Sequence, residues 1–431
     1  MEVGKVSRVA IIGLGYVGLT TALGLAKLGH EVIGVETNEA RLRTLKTGTL
    51  PIFEPGLDLE LVESLRTGHL TLTGNLSEAT EKADIFFICV STPQSDSGEA
   101  DLTFVQAVYL DLVGQIKPDS IIVLKSTVPV GTGDDLTRTS SRNDIFYASN
   151  PEFLREGTAL TDFMKPDRIL VGAESSDVAT KVMNLYSVID APKIVTSVKS
   201  AELIKYAANA YLASRLSFVN DLAALCEQVG ANVDDVVMGM GSDLRIGSSF
   251  LNPGPGWGGS CFPKDTRALV AVARKSQVDL RIVESAIEAN DNAFDRVVSR
   301  LAGLLGGDLN GKVIAALGLA FKANTDDTRD SPALEVINRI LVAGAVVRAY
   351  DPIASAPSGS EFTQFNTVLE TVKQTDALLV LTEWAEFMEI DPKAVADAMK
   401  GSVVLDTRRI LPPEPWRSAF TSFNVLGVGD N

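Results

Sequence analysis

Residues Arg8 to Gly18 read RVAIIGLGYVG, a short apolar run that ends in three spaced glycines, Gly13, Gly15 and Gly18. The run before Gly13 predicts a buried strand over Arg8–Ile12. Leu19–Leu28 reads as a helix and Glu31–Glu36 as a second strand. Strand, glycine turn, helix and strand, in that order, form the layout of a dinucleotide site. The glycines allow a tight turn and a close pyrophosphate approach, and the helix start supplies N–H donors. Gly13-Leu14-Gly15-Tyr16-Val17-Gly18 is therefore the candidate cofactor turn. Glu36 stands about 18 residues beyond Gly18, where a carboxylate hydrogen-bonds ribose hydroxyls and repels a 2′-phosphate, so NAD is expected rather than NADP. Arg41, a little further on, reads equally as a contact to the adenosine end or as a solvated surface arginine.

Outward from this unit, strand-like runs recur at Asp84–Val90 and Ser120–Leu124 with helical segments between them. Such alternation predicts a parallel sheet wound on both faces, extending to about residue 195. Ser200–Val229 is Ala/Leu-rich and free of proline and glycine, and predicts one long helix joining domains and offering a dimer surface. Helical patterns continue to about Leu305, and Gly306, Gly307 and Gly311 mark a boundary. A second, smaller α/β unit follows, with strands at Lys312–Leu317, Val346–Tyr350, Ala377–Leu381 and Val403–Asp406 and a helix at Pro332–Val342. It lacks a full GxGxxG, so its ligand need not be a dinucleotide. The expected fold class is α/β: two Rossmann-like doubly wound domains joined by a long central helix, divided as 1–196, 197–305 and 306–431.

The totals constrain partners. A net charge of −16 over 431 residues argues against general affinity for nucleic acid or anionic membrane. Three cysteines, Cys89, Cys226 and Cys261, lie far apart with no CxxC pair, which fits a reducing cytoplasm and no metal site. The two histidines, His30 and His69, follow glycines at helix ends and read as structural, so Lys, Asp, Glu, Cys and water must carry any chemistry. Val9–Ala26 mimics a signal peptide or span, but its glycines break a continuous apolar helix, and the chain reads as soluble.

Gly254 to Asp265 reads GPGWGGSCFPKD. Cys261 sits in a glycine run that reads as room for a ligand, with Lys264 and Asp265 close behind. An ammonium and a following helix start both favour the thiolate. A thiol with a hydride acceptor suggests oxidation through a thiohemiacetal and a thioester. Cys89, in an apolar strand, and Cys226, in the long helix, read as inert core thiols. Lys205 and Asn209 are four apart on one helix and share a face, where an ammonium and an amide can steady an oxyanion. Further polar loops, STVPVGT at Ser126–Thr132 and NPEFLREG at Asn150–Gly157, follow strands of the first unit, where such sheets bind ligands.

Together with PIFEPGL at Pro51–Leu57, FKANTDDTRDSP at Phe321–Pro332 and Asp406-Thr407-Arg408, these motifs resemble the UDP-glucose/GDP-mannose dehydrogenase family over nearly the whole chain. The resemblance implies oxidation of a nucleotide-sugar C6 alcohol to a carboxylate with two NAD. Cys261 would be the nucleophile, Lys205 and Asn209 would stabilise the oxyanion, Asp265 with Thr127 would position or activate water, and Glu152 would serve as acid/base. Thr92, Thr127 and Lys264 would lie on the cofactor side with Gly13, Gly15, Tyr16, Val17, Gly18, Glu36 and Arg41. Phe153, Leu154, Glu156, Phe250, Leu251, Asn252 and Gly258 would face the substrate together with Lys205 and Asn209. Lys322 and Arg408 would meet its diphosphate or sugar, and Arg245 would reach a partner subunit's site in a homodimer. PIFEPGL and the cysteine loop look like those of members acting on UDP-glucose. Members acting on UDP-N-acetylhexosamines or GDP-mannose share the catalytic set. The bland alternative is a catalytically idle nucleotide sensor.

Overall fold

The computed structural model describes residues 6–95 and 98–429, which fold into two compact units. One comprises the chain through Ala208 with Arg267–Gln277; the other comprises Asn209–Thr266 with the chain from Val278.

The first unit is built on eight strands: β1 (Arg8–Ile12), β2 (Glu31–Val35), β3 (Leu70–Thr73), β4 (Ile85–Ile88), β5 (Ile121–Leu124), β6 (Phe146–Ser149), β7 (Ile169–Ala173) and β8 (Lys193–Thr196). Their order is β3-β2-β1-β4-β5-β6-β7-β8. Successive side chains of β1, β4 and β5 enter opposite cores. Val9, Ile11, Phe87 and Val123 pack on one face, and Ala10, Ile12, Phe86, Ile122 and Leu124 on the other. Burial on both faces is why these strands read as unbroken apolar runs. Strand order reverses between β1 and β4, and the glycine turn lies at this switch point, just past the carboxyl end of β1.

One feature departs from the sequence expectation. β6 pairs with β7 antiparallel, so β7 and β8 run against the other six strands. A four- or five-residue apolar run reads the same in either direction, so pattern alone does not carry strand sense.

The stretch that mimics a span, Val9–Ala26, is β1, the turn and most of the helix Tyr16–Lys27; no helix among the described residues is long and apolar enough to cross a membrane. His30 is buried, accepts from the Ser7 N–H at Nδ1 (3.2 Å) and lies 2.9 Å from the Leu185 carbonyl at Nε2, so it serves as a core linker. Burial pushes the Cys89 thiol up to about 12, and Cys226 is also buried.

The helix Val198–Val229 begins within the first unit and ends within the second. The second unit's sheet contains β9 (Val313–Leu317), β10 (Val346–Tyr350), β11 (Thr363–Gln364), β12 (Ala377–Val380), β13 (Val403–Asp406) and β14 (Ser422–Val425), all parallel, in the order β11-β10-β9-β12-β13-β14. That is the order of the first six strands of the other sheet. Asp351, just after β10, occupies the position that Glu36 occupies after β2. Its carboxylate takes five donors: the amides of Leu319 (2.7 Å), Ala320 (3.1 Å), Ile353 (3.0 Å) and Ala354 (2.8 Å), and Trp384 Nε1 (3.2 Å).

Candidate active site

The three fingerprint glycines have three different reasons. Gly13 adopts a left-handed φ of 88°, and a Cβ there would come 3.0 Å from the Cys89 carbonyl oxygen. A Cβ at Gly18 would lie 1.8 Å from the Gly13 oxygen, so only glycine lets the helix Tyr16–Lys27 pack against its own turn. At Gly15, the residue before that helix, nothing lies within 4 Å of a Cβ. This is open space beside the helix start, the environment a pyrophosphate requires. Glu36 is buried one residue past β2. It accepts the Leu14 and Asn38 amides (3.3 and 2.8 Å), and Arg41 lies 3.5 Å from its Oε2. Arg41 is thereby placed at the acidic end of the turn. Thr92 is buried and donates to the Thr127 carbonyl (2.8 Å), coupling the two loops beyond β4 and β5. The Tyr16 hydroxyl is turned to Glu54 Oε2 (2.7 Å), and Val17 follows it in the helix's first turn.

Glu54, from the PIFEPGL segment, also accepts the amides of Gly157 and Ala159 (both 2.7 Å) and so pins the end of the Asn150–Gly157 loop. Within that loop Glu152 forms a buried ion pair with Lys205 at 2.8 Å, their side chains 7% and 5% exposed. Burial acts to raise the Glu152 carboxyl. The Lys205 charge and hydrogen bond, the Leu154 amide and Lys125 outweigh it, and the group is held below its ordinary value. Glu152 is therefore ionised near neutral pH, a base rather than an acid. Phe153, Leu154 and Glu152 line a small cavity of about 70 Å³ with Lys125, Lys165 and Arg168. The Arg168 guanidinium lies 3.5 Å over the Phe153 ring, and Lys205 Nζ is 5.5 Å from the same ring. Glu156 is half-buried in the same loop. Lys125 is buried against Asn150 Oδ1 (3.1 Å), and burial brings its ammonium down to about 8.

In the second unit Cys261 is exposed and stands immediately before the helix Phe262–Lys275, its carbonyl accepting the Asp265 amide (2.9 Å). The thiol thus lies at a helix start, where the dipole favours its anion. Asp265 is almost wholly buried; it accepts Asn209 Nδ2 and Lys264 Nζ, both at 2.6 Å. Lys264 is thereby spent on Asp265. Lys205 and Asn209 share the helix Val198–Val229, one turn apart, and each holds a different carboxylate.

The glycine run before Cys261 corrects an expectation. It reads as room for a ligand, but much of that room is filled by the protein itself. A Cβ at Gly256 would meet the Phe294 ring at 2.3 Å, at Gly258 the Asp330 carbonyl at 1.9 Å, and at Gly259 the Phe321 ring at 2.8 Å. Three polar anchors that sequence alone did not mark hold the loop. Asn220 accepts the Gly254 amide (2.9 Å), Asn290 accepts the Trp257 amide (2.8 Å), and Ser217 accepts Trp257 Nε1 (2.8 Å). The sequence carries no signal for them, because each is one polar residue among many on a helix of mixed polarity.

Arg408 donates through Nε to the Leu381 carbonyl (2.7 Å), pairs with Glu383 (3.2 Å), and its Nη1 lies 3.1 Å from where a Gly254 Cβ would stand. It therefore borders the cysteine loop. Lys322 sits half-buried beside Phe321, 5.4 Å from its ring. Leu251 is buried, Asn252 is exposed, and Phe250 takes a left-handed φ of 58° next to them. Arg245 stands apart, 89% exposed and bound to Asp243 (2.6 Å).

Comparison with known proteins adds to this geometry. The UDP-glucose/GDP-mannose dehydrogenase family's NAD binding domain matches residues 7–190, its central domain 199–292 and its UDP binding domain 315–413. A UDP-glucose 6-dehydrogenase of Rhizobium meliloti is 42% identical, covering 94% of this chain and 95% of that one. A UDP-glucose dehydrogenase structure from Pyrobaculum islandicum superposes with a TM-score of 0.90 at 34% identity over 98% of each chain. A UDP-D-ManNAc dehydrogenase structure from Pyrococcus horikoshii gives 0.88 at 26% identity over 97% of this chain and 99% of that one. With the glycine turn, the Cys261 loop and the two carboxylates held from one helix, these matches establish that the chain belongs to the UDP-glucose/GDP-mannose dehydrogenase family.

Proposed function

We propose that this chain oxidises UDP-glucose at C6 to UDP-glucuronate, consuming two NAD and one water, through a covalent intermediate on Cys261. The observation that carries the mechanism is an exposed thiol at a helix start, four residues before a buried carboxylate that Asn209 holds. The open side of Gly15 and the Glu36 carboxylate fit the pyrophosphate and ribose of NAD; each of the two NAD, bound in turn, would take up one hydride.

The chain's own residues do the rest. The Cys261 thiolate adds to the C6 aldehyde left by the first oxidation. Lys205 and Asn209 steady the resulting oxyanion. The second oxidation converts the thiohemiacetal to a thioester. Asp265 and Thr127 position a water, Glu152 takes a proton from it as it attacks the thioester carbon, and the Cys261 thiolate leaves. Phe153, Leu154 and Glu156, with Phe250, Leu251, Asn252 and Gly258, hold the sugar, and Lys322 and Arg408 its diphosphate.

Segments 1–196, 197–305 and 306–431 act as cofactor, central and nucleotide-sugar domains. The working form is a cytoplasmic homodimer built on the 200–230 helix, with Arg245 reaching the partner's site. Tyr211, Phe218 and Leu225, seven residues apart on that helix and each more than half exposed, support this assembly. Sedimentation showing only monomer would remove the dimer.

The test is stoichiometry. Purified protein should yield two NADH per UDP-glucose, and Cys261→Ala should abolish turnover. A single NADH with release of aldehyde would defeat the mechanism. The likeness to a UDP-D-ManNAc dehydrogenase supports a second reading, the same chemistry on a UDP-N-acetylhexosamine. A substrate panel ranked by kcat/KM separates the two.

A further inference from the structure

Glu202 takes no part in the chemistry described above, yet its carboxylate is buried and makes two short bonds. Oε2 accepts the Gly131 amide at 2.7 Å and Oε1 the Gly133 amide at 2.8 Å. Both amides belong to the start of the helix Thr132–Thr139, which has no side-chain cap of its own and is entered through Gly131 at a left-handed φ of 95°. An uncapped helix start leaves several N–H groups without partners. Glu202 supplies the missing acceptors from 69 and 71 residues away. The ionised carboxylate makes charge-assisted bonds to helix-start amides, the strong class of hydrogen bond; burial raises this carboxyl to about 7, so the ionised form prevails above neutrality.

The turn so held is Ser126–Thr132, the loop that carries Thr127. Its far side is fixed as well. Ser126 Oγ donates to the Val90 carbonyl (2.6 Å), Thr92 Oγ1 to the Thr127 carbonyl (2.8 Å), and Thr132 Oγ1 to the Pro129 carbonyl (2.6 Å). On the near side, a Cβ at Gly133 would strike both Tyr147 and Val198 at 2.6 Å, so the long helix lies directly against the turn. Glu202 is three residues before Lys205 on that helix, hence on nearly the same face. One helical turn therefore carries both the clamp on the Thr127 loop and the ammonium that grips Glu152.

We propose that Glu202 is a positioning residue for the reaction: by binding the Gly131 and Gly133 amides it fixes the Thr127 loop in register with Lys205. This rests on the dehydrogenase reading given above. A second tie between the same elements, Lys199 to Asp134 at 2.6 Å, is largely exposed and serves as the control.

The experiment compares wild type, Glu202→Gln, Glu202→Asp and Lys199→Ala as full-length proteins with NAD and UDP-glucose, each rate normalised to the reactive thiol titre. Gln keeps one acceptor but presents an NH₂ to the second amide. Glu202→Gln should lower kcat by about 10- to 100-fold, the scale of a displacement near 1 Å, with KM for UDP-glucose nearly unchanged. Hydrogen exchange of residues 126–135, read on protein without ligands, should quicken. Asp, shorter but still anionic, should recover part of both losses. Lys199→Ala should stay within about twofold of wild type on every measure. A Glu202→Gln protein with wild-type kcat per thiol, or with unchanged exchange at 126–135, overturns the proposal. So does a loss that disappears on cooling below the variant's melting range. If Glu202→Gln does not fold, the same readings on Glu202→Asp decide. A wild-type protein that makes no NADH from UDP-glucose overturns the functional reading instead, and exchange at 126–135 still judges the clamp.

Discussion

Replacing Lys205 with methionine tests the centre of the site. The ammonium lies 2.8 Å from Glu152 Oε1, with both side chains almost fully buried. Methionine keeps the volume and removes the charge, leaving a buried carboxylate without its nearest cation. Breaking such a pair costs about 3–5 kcal/mol. For a unit of roughly 200 residues each kcal/mol is worth about 2–4 °C, so the melting temperature near neutral pH should fall by about 6–20 °C. The pH dependence carries the sharper prediction. In the native protein Glu152 is held below its ordinary value of 4.5, so its contribution to stability is present above that pH and lost as pH falls through the lower folded value. Without Lys205, burial, the largest influence on this group, pushes the carboxyl up instead. The folded protein then takes up a proton, and a penalty grows as pH rises above the ordinary value. The gap between variant and wild type should widen from about pH 4.5 to about pH 7.5, and close only as pH falls through the lowered carboxyl value of the wild type. Calorimetric melts across that range read it directly. The double variant Lys205→Met/Glu152→Gln should recover at least about 2 kcal/mol, because no charge is left stranded. An equal loss at every pH, or no recovery in the double variant, refutes the reasoning.

Other expectations follow from single contacts. Gly15→Ala meets no atom within 4 Å and has an ordinary φ of −73°, so melting should be nearly unchanged while NAD affinity falls by about tenfold or more, measured by calorimetric titration. Asn209→Ala removes an amide from the buried Asp265 carboxylate and should cost about 1.5–3 kcal/mol in thermal unfolding, together with most of the turnover. Iodoacetamide on the native protein should modify one thiol, Cys261, because Cys226 is buried and the buried Cys89 thiol is pushed to about 12; mass spectrometry of the labelled peptides checks this.

The sequence revealed most where function depends on local pattern. β1, β10, β13 and the helix Pro332–Val342 fall at the expected bounds, because unbroken apolar runs and helical spacing are local properties. The expected strand Asp84–Val90 shortens to Ile85–Ile88, although the amides of Asp84 and Cys89 still donate to the Arg8 and Ile12 carbonyls beside it (3.2 and 2.8 Å). Strand sense at β7 was not legible, for the reason given above. Lys205 and Asn209 could be paired by their spacing, but the carboxylates each of them holds could not. Those contacts span 53 and 56 residues and depend on tertiary packing alone. Glu54, Glu202, Asn220 and Asn290 share that character, being polar side chains whose partners lie far away in the chain. The glycines before Cys261 stand out in the sequence, but the sequence could not show that aromatic rings and a carbonyl fill the side where a Cβ would stand, leaving only their backbone to face a ligand.

Asp351 gives the duplicated strand order its meaning. A carboxylate offers about four lone-pair directions, and five donors already converge on this one. Its counterpart Glu36 receives fewer and longer bonds, so it keeps acceptor capacity for an incoming hydroxyl. Two sheets of one topology have thus parted ways at a single side chain, one left as a docking hook and the other soldered shut. Grafting the glycine pattern of the first onto the second would not create another cofactor clasp. Asp351 would have to be released first, and its release would strand four amides and an indole at once.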